Sequence, residues 1–225
     1  MALLHRAELR PSKIELVAGW APTQPWFEAG TDPATGDAAD LANVAAFRFD
    51  DPAGEVGVET LLVRAGDGPV LQVPLTYRGA PLAGGEARLI GTMQHSVLGQ
   101  RWVYDGAGDP VYLTAVATAA LTGGRQADLY VHVDGELVRR EPTALVVGSG
   151  TDGSPVPGAV PADAIEVRSE GGSTVVQAGD LHLVIVRTLH TGARHTDADN
   201  APSGLLSGTW SDQIEPVPLV VVLAP

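Results

Sequence analysis

Apolar positions alternate with polar ones over short stretches along most of the chain, and the breaks between them are rich in Gly, Pro and Asp. A period of two predicts strands joined by turns. In the first half, β-prone runs at 44–49, 56–64 and 70–77 are divided by DDPAGE and AGDG and predict an antiparallel meander. A further strand is read at 101–104. The second half carries strand-like runs at 129–133, 137–139, 144–147, 164–168, 173–177, 181–189 and 219–223, with no helical period among them.

Three segments depart from that pattern. Leu89, Ile90, Met93, Val97 and Leu98 fall at helical spacing and are followed by Gly99, which predicts a helix over 85–98 closed by a left-handed glycine. An Ala-rich run at 111–121, with Pro110 near its start and Gly123 beyond its end, predicts a second helix. Residues 12–20 hold a Ser12/Glu15 capping-box pair and read as a short helix or a strand entering one. The stretches 28–40 and 148–163 lack periodicity and predict long loops. The expected class is α+β: one domain over 1–225, a curved antiparallel sheet packed on the helices at 85–98 and 111–121, and a β-rich C-terminal half. An alternative division at Gly123 and Gly124 gives an α+β subdomain 1–124 and a β-rich subdomain 125–225.

Composition narrows the function classes. Acidic residues outnumber basic ones 27 to 14, for a net charge of −13, so phosphate backbones and anionic lipid are repelled and neither nucleic acid nor a membrane is an expected partner. The absence of cysteine excludes disulfides, thiolate catalysis and cysteine-ligated metal. MALLHRAELR lacks the apolar core of a signal peptide, and the run at 217–224 is broken by Pro218 and too short to span a bilayer, which gives the expectation of a soluble cytoplasmic protein.

Candidate chemistry is sparse, and no cofactor or metal is expected. Gly148, Gly150 and Gly153 spell G-x-G-x-x-G after a strand, but SPVPGAVP cannot form the helix whose amides would face a phosphate. His195, Asp197 and Asn200 resemble a kinase catalytic loop at the wrong spacing, since position 202 is proline. His190 and His195 beside Asp197 and Asp199 lack a helical metal-ligand spacing. Ser96 next to His95 makes no nucleophile–base pair, and no G-x-S-x-G elbow exists. Trp20, Trp26, Phe27, Trp102 and Tyr104 read as core rings or as a platform on which a sugar stacks.

GWAPTQPWFEAG (19–30), LTYRGAPL and HSVLGQRWVYDG resemble the N-terminal cap of maltokinases and related actinobacterial sugar kinases, and SGTWSDQIEPVPLVVVLA is similar to the closing strand of small cap-like proteins. The likeness is least over 125–200. It implies a cystatin-like α+β cap that precedes the kinase lobes, with the catalytic machinery downstream. No such lobe fits before Pro225, so phosphoryl transfer is not expected. Pro25 replaces the arginine that precedes the aromatic pair in the family.

The leading expectation is a non-catalytic accessory or binding protein of α-glucan, maltose or trehalose metabolism. Its contact residues are Gln24, Trp26, His95, Arg101 and Trp102, and its partner is a sugar kinase, a glycogen- or trehalose-pathway enzyme, or a glucan. The rivals are an enzyme using His95, Arg101 and Asp105 for acid–base and anion-binding work, and a regulatory module that contacts a protein through its acidic surface.

Overall fold

The computed structural model describes residues 2–4, 7–32, 35–36, 39–133, 135–158, 160–189 and 202–224. In chain order the elements are β1 (Ala2–Leu4), β2 (Leu9–Arg10), α1 (Lys13–Trp20), β3 (Leu41–Phe49), β4 (Gly57–Ala65), β5 (Val70–Arg78), β6 (Leu89–His95), β7 (Gly99–Asp105), α2 (Pro110–Thr122), β8 (Leu129–Val133), β9 (Glu136–Arg140), β10 (Ala144–Gly148), β11 (Ile165–Glu170), β12 (Ser173–Ala178), β13 (Leu181–Val186), β14 (Thr188–Leu189), β15 (Gly204–Trp210) and β16 (Gln213–Leu223). The chain is mostly sheet, curled and largely antiparallel, with two α-helices among the described residues.

One sheet runs β2-β6-β7-β5-β4-β3, with β14 on the free end of β5; a second runs β10-β15-β16-β13-β12-β11; a small third sheet is β1-β8-β9. The expected meander is β3-β4-β5, antiparallel throughout. β4 and β5 are buried along nearly their whole length, because both faces of their sheet are covered. On one face Phe47, Val58 and Leu62 join Tyr112, Leu113, Val116 and Ala120 of α2 and Leu183, Ile185, Leu206, Leu219 and Val222 of the second sheet in one core. On the other face Leu61, Val63, Leu71, Val73, Met93 and Val103 pack with Val17 and Leu16 of α1 and with Trp26.

Both helices are set by their caps. Ser12 Oγ accepts from Glu15 N at 3.3 Å and Ser12 N donates to Glu15 Oε2 at 2.7 Å, which resolves 12–20 as helix. α2 starts at Asp109, whose carboxylate accepts from Val111 N at 2.9 Å, and ends at Gly123 with φ 71°.

The helix expected at 85–98 does not form. A 3-10 turn at Glu86–Arg88 leads into β6, which pairs with β7 from Leu89↔Tyr104 to His95↔Gly99. The helical stripe would have had nothing to cover it, since only Met93 of that set is buried and Leu89, Val97 and Leu98 stay exposed. Gly99 is left-handed, φ 73°, as its place after the run suggests, but it closes a hairpin. The structure also adds β15 and extends β16 back to Gln213. Bulges at Leu206/Ser207 and Gly208/Trp210 let Pro218 sit inside the sheet without its missing N–H. Among the described residues no helix is long and apolar enough to cross a membrane.

Candidate functional site

A cleft of about 630 Å³ opens between the start of α1, the β6–β7 hairpin and the turn after β3. Lys13, Arg48, Tyr77 and Met93 line it, His95, Leu98 and Arg101 flank it from the hairpin, and Asp50, Asp51 and Glu55 border it from the turn. Val58, Tyr77, Met93 and Arg101 belong to neighbouring strands of one sheet, so their backbone spacing is set by the ladder.

Beneath these residues lies Glu59, which is 6% exposed. Its Oε2 accepts from Lys13 Nζ at 2.6 Å and from Tyr77 Oη at 2.7 Å, and Arg48 Nε lies 3.6 Å from Oε1. Burial pushes the Glu59 carboxyl up, but the charges of Arg48 and Lys13 and the hydrogen bonds from Lys13 and Tyr77 outweigh it and hold the group below its ordinary range. Burial, then the Glu59 charge, drives the Tyr77 phenol well above its ordinary value. Glu59 is therefore a fixed anion and Tyr77 a fixed donor, and the pair anchors two cations that face the cleft. Lys13 Nζ also lies 5.3 Å from the centroid of the Tyr77 ring.

The two rims are ordered by local sequence. In DDPAGE, Asp51 Oδ1 accepts from Ala53 N, and Oδ2 accepts from Glu55 N and Val56 N, an Asx-type turn. Across the cleft, His95 Nδ1 accepts from Val97 N at 3.2 Å and Leu98 N at 3.1 Å, which places the proton of the neutral ring on Nε2. Arg101 Nη2 donates to Leu98 O at 2.6 Å, while its Nε is buried without a partner.

Of the residues nominated from sequence, the structure brings His95 and Arg101 into this cleft. Gln24 sits in the turn after α1, bonded to Thr23 Oγ1, and does not line the cleft. Trp26 is 3% exposed, edge-on to Trp20 at 5.7 Å and under the Arg187 guanidinium at 4.9 Å, so it is a packing ring with no open face for a sugar. Trp102 is half-buried and points from the opposite face of β7 to Arg101.

Asp105 does not converge with His95 and Arg101. It lies four residues along β7 from Arg101, roughly 13 Å, and is buried in an ion pair with Arg187, whose Nη2 donates to Oδ1 at 2.8 Å and Oδ2 at 2.7 Å. Its neighbour Asp109 is fully buried and holds Arg78 at two 2.7 Å contacts and Thr76 Oγ1 at 2.7 Å. The DGAGDP segment is thus built around two buried carboxylates that cap and pair, with no acid–base dyad. Lys13, Arg48, Glu59 and Tyr77, none of them singled out by the sequence, supply the floor of the cleft. A single lysine in a chain whose other basic residues are arginines is the one sequence signal that points to Lys13.

The first two G-x-G-x-x-G glycines serve packing, and Gly153, left-handed at φ 82° in open space, serves a turn. A Cβ on Gly148 would overlap Ala119 O, and one on Gly150 would overlap Leu121 O; Gly150 N donates to Ala120 O at 2.9 Å. The segment covers the carbonyl end of α2, the pole that repels a phosphate. Among the described residues no group of three or more His, Asp or Glu side chains could hold a metal; His190, His195, Asp197, Asp199 and Asn200 lie outside the described residues.

Residues 20–109 match the family model of the maltokinase N-terminal cap domain, a stretch that contains the cleft residues from Arg48 to Arg101. No curated protein matches the chain.

Proposed function

We propose that this chain, whose residues 20–109 match the maltokinase N-terminal cap domain, is a non-catalytic accessory or binding module linked to α-glucan, maltose or trehalose metabolism. The proposal takes 1–225 as one cap-like, cystatin-like domain, and a core that draws on residues from Ala45 to Val222 supports it. The observation that carries the reading is a walled cleft lined mostly by the family-matched stretch and completed by Lys13, with anchored cations and exposed carboxylates around Tyr77 and Met93. Such a lining offers donors and acceptors to a polyhydroxylated ligand. Separation of His95 and Arg101 from the buried Asp105 argues against an acid–base enzyme at this site.

Thermal unfolding of the protein with millimolar maltose, trehalose, short glucans or magnesium-ATP tests it, because a ligand of the native state raises the midpoint by mass action. A rise with a sugar that is lost in Arg101→Ala supports the reading, and a rise with nucleotide alone overturns it. A second reading, a module that contacts a sugar kinase or a glycogen- or trehalose-pathway enzyme, is favoured by an apolar groove of about 550 Å³ between α2 and the DDPAGE turn, lined by Phe49, Val111, Ala115, Ala119 and Val160. It predicts no shift with any sugar and co-elution with such an enzyme.

A further inference from the structure

Three of the outer strands of the two large sheets, β3, β10 and β11, have main-chain groups bonded to other parts of the chain. Along β3, Thr143 Oγ1 accepts from Ala46 N and donates to Ala46 O, and Ala127 N donates to Arg48 O. Along β10, Val146 N donates to Gln126 Oε1 and Gly148 N to Gly124 O. On β11, Val167 O accepts from Arg88 Nη2. The outer edge of β9 has no such cover among the described residues, and every residue of β9 is exposed. An open edge is a template for another strand.

The order of residues in β9 is self-complementary. Its ladder with β8 runs Val133↔Glu136, Val131↔Val138 and Leu129↔Arg140. Two residues separate Val133 from Glu136, and in such a hairpin the closing pair exchanges its main-chain bonds. The same alternation turns the N–H and C=O of Val138 and Arg140 inward, and leaves those of Leu137 and Arg139 facing out. A second β9 laid antiparallel about Val138 sets Leu137 opposite Arg139 twice, which makes four main-chain hydrogen bonds. Val138 then meets Val138 as the close, non-bonded pair, and Glu136 faces Arg140 at both ends. Glu136, Val138 and Arg140 share a face with Val131 and Val133, so the joined sheet gains a continuous valine row flanked by two opposite-charge pairs. Neither Glu136 nor Arg140 has an ion-pair partner within the described residues, whereas Arg139, on the other face, is tied to Asp128 at 2.6 Å.

We propose that β9 is a homotypic docking edge through which a second copy of this chain adds antiparallel to the β1-β8-β9 sheet, with Glu136 of each copy against Arg140 of the other. A five-residue edge buries less than the roughly 800 Å² per partner of a standard interface, so the association is concentration-dependent. It is independent of what the cleft binds.

Sedimentation velocity of the full chain over a concentration series tests the proposal. The expected result is a sedimentation coefficient that rises from monomer toward dimer, a shift lost in Glu136→Arg and in Arg140→Glu, each of which sets like charges opposite one another. The double variant E136R/R140E re-creates both pairs in reverse and regains the shift. All three change exposed side chains, so their unfolding midpoints stay near that of the parent. A protein that remains monomeric up to ~1 mM, single variants that dimerise like the parent, or a double variant that fails to recover would each overturn it.

Discussion

Arg187 Nη2 donates to both carboxylate oxygens of Asp105, at 2.7 and 2.8 Å, where the chain leaves the second sheet at Val186 and enters the first at Thr188. Arg187 is fully buried; its Nε donates to Thr174 Oγ1 at 2.8 Å, its face lies over Trp26, and its Nη1 has no partner. The pair therefore ties β7, β12 and the Trp26 turn to the crossover. Breaking it from one side leaves a buried charge uncompensated, so Asp105→Ala should cost about 3–5 kcal/mol. Urea unfolding measures this, and replacing both residues by apolar ones should recover much of the loss.

Asp109 combines two roles. It caps α2 through Val111 N and neutralises Arg78. Asp109→Ala removes the cap, worth about 1 kcal/mol, together with a buried carboxylate, and should cost about 3 kcal/mol in all. Asp109→Asn keeps a capping oxygen and should cost less, which separates the two contributions in one pair of melts.

Acid stability should depend on Glu59. Burial raises its pKa, yet Arg48, Lys13 and the hydrogen bonds from Lys13 and Tyr77 lower it by more. A depressed folded pKa contributes stability that is present above the unfolded value, near 4.3, and is lost as pH falls through the folded value. Glu59→Gln should flatten the acid limb of a stability-against-pH curve.

On the alkaline side Tyr112 acts in the opposite direction. Burial pushes its phenol up to about 12, a rise partly offset by the hydrogen bond with Thr60. The neutral form is the one the fold accepts, so stability is intact below the unfolded value near 10 and is lost as pH rises toward 12. Tyr112→Phe should reduce this limb and leave the share that the buried Tyr77 phenol contributes, read by unfolding at pH 9 to 11.

Gly150→Ala places a methyl group against Leu121 O at the end of α2. Backbone has to move to admit it, and the expected loss is about 2 kcal/mol or more. Gly171→Ala, left-handed at φ 55° but in open space, should cost only the backbone term of about 1 kcal/mol.

Elements governed by near neighbours along the chain are legible in the sequence. The Ser12/Glu15 box, the Pro110 start and Gly123 stop of α2, and the turn formers that divide β3, β4 and β5 act within a few residues, and each appears at its expected place. At residues 85–98 the spacing of Leu89, Met93 and Val97 matches a helix, but a period is decisive only when a surface exists to bury the stripe. The β7 ladder offers backbone partners instead, and Val97 and Leu98 remain at a hairpin tip.

The chain's residues by themselves determined its strand-rich, largely antiparallel make-up, the caps of its two helices and many of its turns, the lack of any cysteine chemistry and the likeness to a maltokinase cap, because these depend on local sterics, composition and short motifs. Only the tertiary structure decided which charges meet. Lys13 and Glu59 are 46 residues apart and Asp105 and Arg187 are 82 apart, and no local rule links them. Long-range strand pairing put the first pair under an open cleft and the second inside a dry core, and so separated the carboxylate that can shape a binding site from the one that holds the sheets together.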